Sequence, residues 1–176
     1  LSFRPPPDLY VVEIMSVVAT EPVRPPSDPV PDDGGAKVES LPFWPVISLA
    51  ELRRAMRLDG QVTTDRLMSR TVEAVAHVND QLFLWRQVQI DAGYESLAEI
   101  PASPVNGTSV KVWRYKNAVY SLTKALLIEG YRDIDTTSKG EDHAAALSTQ
   151  IDTLWRDVRW SIRDIQDESR GLAELV

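Results

Sequence analysis

Residues 138–167 read SKGEDHAAALSTQIDTLWRDVRWSIRDIQD. Leu147, Ile151, Leu154, Val158, Ile162 and Ile165 recur at steps of three and four, which places them on one side of an α-helix. Asp152, Arg156, Asp157, Arg159, Arg163 and Asp164 fall between them, so the opposite side is suited to water. Ser138 and Glu141 form an S-x-x-E capping box that satisfies otherwise orphaned backbone N–H groups. Trp155 and Trp160 flank the stripe and widen it beyond what one neighbouring helix needs. That width predicts two partners, one of them a candidate second subunit.

Working back along the chain, Thr108 to Glu129 predicts another long helix. Val112, Tyr115, Val119, Leu122 and Leu126 form one stripe, with Trp113, Tyr120 and Leu127 in a second beside it. Asn106-Gly107 before it is a turn signal, and the glycosylation sequon it makes with Thr108 is read as turn and cap only. Thr64 to Asp91 predicts a single long helix closed at Ala92-Gly93, with Leu67, Thr71, Val75, Val78, Leu82 and Trp85 as its main stripe. Met68, Val72, Phe83 and Ile90 lie alongside. Ser48 to Leu58 predicts a short helix with a Ser48/Glu51 capping box, an apolar side of Leu49, Leu52 and Met56, and a basic side of Arg53, Arg54 and Arg57. Ser96 to Ile100 is a brief capped turn.

Residues 1–47 differ in kind. They hold Pro5, Pro6, Pro7, Pro22, Pro25, Pro26, Pro29, Pro31, Pro42 and Pro45, and such density disfavours a helix or a central strand. The segment is expected to be an extended arm. It is either a disordered tail or a strap that orders on a neighbouring subunit, anchored by Phe43 and Trp44. Within it MSVVATEP, from Met15, resembles a natural start, leaving residues 1–14 as a possible upstream extension or ordinary sequence.

The expected class is therefore all-α: a helical bundle of one short and three long helices at residues 48–167, a proline-rich arm at 1–47 and a short tail at 168–176. A length of 176 residues suits one such domain, and 43% hydrophobic content with five tryptophans suffices for a core. A net charge of −7 argues against a dedicated nucleic-acid binder, and the absence of cysteine removes disulfide and thiolate chemistry. No apolar run is long enough to span a membrane, and the expectation is a soluble, intracellularly made protein.

Catalytic and metal signals fail on inspection. Asp133-Ile134-Asp135-Thr136-Thr137 fits the D-x-D-x-T of aspartyl-nucleophile phosphatases, but that chemistry needs a parallel strand before the first Asp. A calcium loop from Asp133 would need glycine and glutamate where Ser138 and Ala144 stand. P-loop, nucleophile-elbow and H-E-x-x-H patterns are absent. His77 and His143 are read as edge residues. No enzyme activity, cofactor or metal is expected. A helical DNA-binding regulator is the alternative reading: residues 48–58, the Gly60 turn and the following helix resemble helix-turn-helix spacing, with Arg53, Arg54, Arg57, Arg66 and Arg70 as phosphate contacts.

An ordered set of residues resembles the head completion (head–tail connector) proteins of contractile-tailed bacteriophages. It comprises Met56-Arg57-Leu58, Ala92-Gly93, Gly107, Ser109, Lys111, Val112, Tyr131-Arg132 and Ser138-Lys139-Gly140, then Leu154-Trp155-Arg156-Asp157, Arg159-Trp160 and Ile165-Gln166-Asp167. The similarity runs from about Leu41 to Asp167, and matches poorly outside it. It implies a structural virion protein without catalytic residues, assembled as a ring, expected to be twelve-fold, beneath the portal of the DNA-filled head. Implied partners are the portal protein, a tail terminator or tail completion protein, and further copies of the chain. Packaged duplex DNA would pass without sequence-specific binding, and no membrane is involved. The implied location is the head–tail neck of the virion, after assembly in the host cytoplasm. Phe43, Trp44, Trp85, Arg156, Arg159 and Trp160 are the candidate subunit-interface residues, since aromatic and arginine side chains favour interfaces. Leu172, Leu175 and Val176 are candidate portal contacts. The competing reading places the tryptophans in the chain's own core, Trp113 and Trp155 first.

Overall fold

The computed structural model describes residues 29–132 and 140–170. Over these the chain is mainly helical, with two short strand pairs that the sequence patterning does not announce. β1 (Lys37–Val38) pairs antiparallel with β2 (Ile47–Ser48), and β3 (Pro104–Val105) with β4 (Thr108–Ser109). The helices are α1 (Leu49–Met56), α2 (Thr64–Gln81), α3 (Phe83–Asp91), α4 (Val110–Arg132) and α5 (Gly140–Ile165), with a single 3-10 turn at Leu97–Glu99.

Caps account for several boundaries. The Ser48 hydroxyl accepts from the Glu51 N–H at 3.3 Å, and the Thr63 hydroxyl accepts from that of Arg66 at 3.3 Å. Gly93, at φ +97°, closes α3 as its sequence position predicts. Asn106 and Gly107, at φ 55° and 75°, make the two-residue turn that their positive φ values favour, so this stretch is a small hairpin rather than the start of α4. Ser138 of the expected capping box lies outside the described residues.

The predicted helix over 64–91 is two. Leu82 has left helical geometry at φ −98°, ψ 5°, and separates α2 from α3. No proline or glycine marks the break, so the local sequence carries no signal for it. Its correlates are tertiary: Leu82 is fully buried, Trp85 meets the Phe43 ring edge-on at 6.5 Å, and the Arg86 guanidinium lies 5.5 Å from the same ring.

α4 forms the centre of the core. Val112, Tyr115, Ala118, Val119, Leu122, Ala125 and Leu127 are buried along it, with α1, α2 and α5 around it. The Thr123 and Thr71 hydroxyls, also buried, donate back to the Val119 and Leu67 carbonyls at 2.8 and 2.7 Å, so neither polar group is left unpaired. From α5, Ile151, Val158 and Ile165 are buried, as the period of its stripe requires. Its C-terminal carbonyls receive cations from α4: Lys111 Nζ donates to Ile165 O at 2.6 Å and Arg114 to Asp164 O at 3.1 Å. The Lys111 amine also meets Asp167 at 2.8 Å. Lys111→Met is therefore expected to lower stability by about 1–3 kcal/mol, the usual cost of leaving a buried acceptor unpaired, as a fall in thermal midpoint would show.

From Asp33 onward the segment expected to be an extended arm packs on these helices. Phe43 and Trp44 are 3% and 5% exposed. Trp44 stacks on Tyr115 at 4.9 Å with the rings 9° from parallel, and Phe43 meets Trp44 edge-on at 4.8 Å. The Tyr115 hydroxyl donates to Asn79 at 2.7 Å, and burial pushes its pKa upward. Asp33 and Arg53 fasten the start of this segment. Arg53 Nη2 donates to Asp33 Oδ1 at 2.8 Å and its Nε to Oδ2, while Nη1 donates to the Asp59 and Val62 carbonyls at 3.0 and 2.7 Å. The Thr64 hydroxyl adds a third donor to the Asp33 carboxylate at 2.7 Å.

Candidate assembly surface

The six residues expected at a subunit interface fall into two groups. Phe43 and Trp44 lie in the core of a single chain, with Trp85 partly buried against them and the Lys111 amine 5.7 Å from the Trp85 ring. Arg156, Arg159 and Trp160 instead share the outer side of α5, away from the Ile151–Val158–Ile165 stripe. Leu172, Leu175 and Val176 lie outside the described residues, as do the carboxylates of the Asp133 motif.

On α5, two guanidinium groups approach the Trp160 ring. Arg156 lies 4.7 Å and Arg170 5.0 Å from its ring centroid, within cation–π range. Arg170 makes a two-pronged contact to Asp164, 3.0 Å to Oδ1 and 2.6 Å to Oδ2, and Arg114 approaches the same carboxylate at 3.7 Å. The Arg170 hydrogen bonds hold the Asp164 carboxyl below its usual pKa, against partial desolvation. Arg156 also contacts Asp157 at 3.1 Å. The indole is thus oriented by charged neighbours on the surface of the helix, although no apolar side chain of the core requires it there. Arg159, with Arg163, Gln166 and Glu168, borders a shallow cleft against Gln81 at the end of α2.

The two tryptophans given first place in the core separate. Trp155 turns inward: its indole N–H donates to Glu129 at 2.9 Å and His77 stands edge-on to it at 5.7 Å. Trp113 is 42% exposed and its N–H is tied to the Val105 carbonyl at 2.9 Å. A further apolar surface lies on α3: Phe83, expected alongside the main stripe, is 55% exposed, and beside it are Leu84 and Val88, which the sequence patterning does not single out; Leu84 is 77% exposed. The trace of this surface in the sequence is apolar residues out of phase with the stripe that Leu82 and Trp85 continue.

The phosphate-contact reading of Arg53 is corrected by its burial in the Asp33 pair, and the Arg66 guanidinium covers the Tyr131 ring at 4.4 Å. Among the described residues no three His, Asp or Glu side chains are grouped as metal ligands, and no helix is long and apolar enough to cross a membrane.

Over residues 38–176 the sequence matches the family described as "Phage head completion protein (GPL)". The chain belongs to that family. A curated relative, the "Head completion/stabilization protein" of Escherichia phage P2, is 35% identical over 148 residues, covering 84% of this chain and 88% of the relative. No solved structure matches. The family match begins at the first buried residue of β1, Val38, and continues through the tail to Val176, wider at both ends than the resemblance from Leu41 to Asp167. The chain thus shares with its family the segment around Phe43 and Trp44 as well as the helices, consistent with that segment's place in the core.

Proposed function

We propose that this head completion protein acts as a structural ring, twelve-fold by family resemblance, beneath the portal vertex, where it closes the filled head, retains the genome and joins head to tail. The observation that carries this reading beyond the family is Trp160 on the outer side of α5, framed by Arg156 and Arg170. Tryptophan and arginine are the residues in which interface energy concentrates, and a ring requires contacts between unlike faces that close on themselves. The exposed α3 surface adds a second face. A net charge of −7 suits a channel past which phosphates slide, so the packaged duplex is a passing partner rather than a bound one. The portal contact is assigned to Leu172, Leu175 and Val176, and the tail terminator or tail completion protein meets the opposite end of the ring. Its place is the virion neck, reached from the host cytoplasm, with no catalytic step.

Mixing the protein with its portal and sizing the products tests the ring directly. A portal-bound assembly is expected; a persistent monomer that never joins the portal would refute it. Trp160→Ala is expected to lower the isolated chain's stability only modestly, by at most about 1–2 kcal/mol, since it removes two surface cation–π contacts of about 0.5–1 kcal/mol each. The same change is expected to weaken assembly at least tenfold, as hot-spot truncations of about 2 kcal/mol do. Equal assembly by the variant would remove this face from the interface.

A further inference from the structure

Two surfaces of unlike chemistry stand open among the described residues, on different sides of the chain. The first is on α3, where successive residues step by about 100° around the axis. Phe83, Gln87, Asp91, Leu84 and Val88 therefore follow one another along a single arc, and all of them are exposed. Phe83, Leu84 and Val88 make this arc apolar. Asp91 lies between them, with its carboxylate accepting from the Gln87 amide at 3.0 Å and forming no ion pair among the described residues. The opposite arc of α3, with Trp85 and Arg86, is the one that meets Phe43.

The second surface is on α5, whose buried stripe packs toward α4 and whose two flanks differ. On one flank Arg159, Ile162 and Gln166 border the cleft against Gln81, the last residue of α2 and two before Phe83. On the other, Asp164 receives Arg114 of α4. By the same helical step Trp160 falls between Arg156 and Asp164, toward the Arg114 flank and away from the side on which α2 leads into α3. A chain therefore does not cover its own α3 patch with its own indole. The carboxylates nearest the indole are already engaged, Asp157 by Arg156 at 3.1 Å and Asp164 by Arg170 at 2.6 Å. Arg159 and Arg163 form no ion pair among the described residues, so the surplus charge of this side is positive.

We infer that the Trp160 side of α5 in one copy seats on the Phe83–Leu84–Val88 patch of α3 in the next. The inference rests on the ring reading above and names the two faces that meet in it. A large aromatic ring set among arginines suits an apolar patch that carries a carboxylate and no cation, since the apolar parts bury each other and the surplus charges are opposite. Pairing like with like fails on both faces. Two α5 surfaces would bring the surplus arginines together, and two α3 surfaces would oppose their Asp91 carboxylates while leaving Trp160 uncovered. Unlike faces on different sides of one subunit join head to tail, which is the contact that a closed ring repeats.

The chain contains no cysteine, so single introduced ones report the contact in the full-length protein. Gln87 stands on the α3 arc, and Thr153 on the Trp160 side of α5 two turns before the indole; both are exposed. Gln87→Cys and Thr153→Cys proteins are mixed with the portal protein and treated with a bismaleimide long enough to span two helical turns. A dimer-sized bridge that joins the two different variants is expected, identified as linked peptides, with none from either variant alone above the level of unassembled chain. Leu84→Asp, added to the Gln87→Cys protein at a position 77% exposed, is expected to keep the circular dichroism of the isolated chain and to cut the bridge yield at least tenfold. Portal-bound assemblies without the mixed bridge, or with a bridge indifferent to Leu84→Asp, overturn this pairing and leave the ring reading standing, with α3 turned to a different protein. A bridge formed by one variant alone shows two-fold contact and overturns it as well. Failure to assemble at all overturns both the pairing and the ring.

Discussion

Trp44→Ala is expected to destabilise the isolated chain by about 3–5 kcal/mol, the range for deleting a large aromatic from a packed core. The indole is stacked on Tyr115 and edged by Phe43, and all three are buried within one chain. Alanine leaves a void that the rigid α4 backbone cannot collapse to fill. It also strips contacts from Tyr115, whose hydroxyl is pinned to Asn79. Against the few kcal/mol by which a domain of this size is usually stable, the loss leaves a largely unfolded chain near its growth temperature. Urea denaturation followed by far-ultraviolet circular dichroism measures it. A variant monomer with unchanged midpoint but defective assembly would restore Trp44 to the intersubunit role that its place beside the proline-rich arm suggests.

Breaking the Asp33–Arg53 pair is the second large effect. Both side chains are essentially withdrawn from water, at 0% and 3% exposure, and each is satisfied by several hydrogen bonds. Asp33→Ala leaves the guanidinium buried with its two carbonyl acceptors but no counter-charge, which costs about 3–5 kcal/mol. The pair also confers a pH dependence. The hydrogen bond from Arg53 holds the Asp33 carboxyl below its ordinary value, outweighing desolvation. A depressed folded-state pKa means that the unfolded chain binds the proton more readily. Its contribution is therefore complete above the unfolded pKa of about 3.9 and is lost as pH falls through the lower, folded value. Wild-type stability is expected to decline below about pH 4, and Asp33→Asn to show a shallower acid limb with a lower plateau at neutral pH. Parallel acid limbs in both proteins would show that the linkage lies elsewhere, with the Asp164 cluster the next place to look.

The legible parts of the fold are those fixed by short-range chemistry. The α5 stripe, the Ser48 cap, the Gly93 stop and the Asn106-Gly107 turn follow from side-chain period, a hydroxyl that can reach a backbone N–H, and glycine's tolerance of positive φ. The α2–α3 break was not legible, since Leu82 is an ordinary helix former. Burial against the Phe43 region, contributed by a segment some forty residues upstream, is what accompanies the turn. Arg53 was equally opaque: on the helical wheel it joins Arg54 and Arg57 as a basic side, and only the arrival of Asp33 converts it from a surface charge to a buried one.

The candidate site divides along the same line. Period alone assigns Arg156 and Arg159 to the outer side of α5, whereas Trp160, expected to flank the apolar stripe and widen it, lies on that outer side among Arg156 and Arg170 instead. Composition alone cannot assign Phe43, Trp44, Trp85 or Trp113, since an aromatic ring suits a core and an interface equally well. The sequence by itself determined the helical character, most element boundaries and the family. Tertiary structure alone decided which aromatic rings are spent inside one molecule and which remain outside. Periodicity reports which side of an element is apolar, whereas burial depends on what another part of the chain brings against that side.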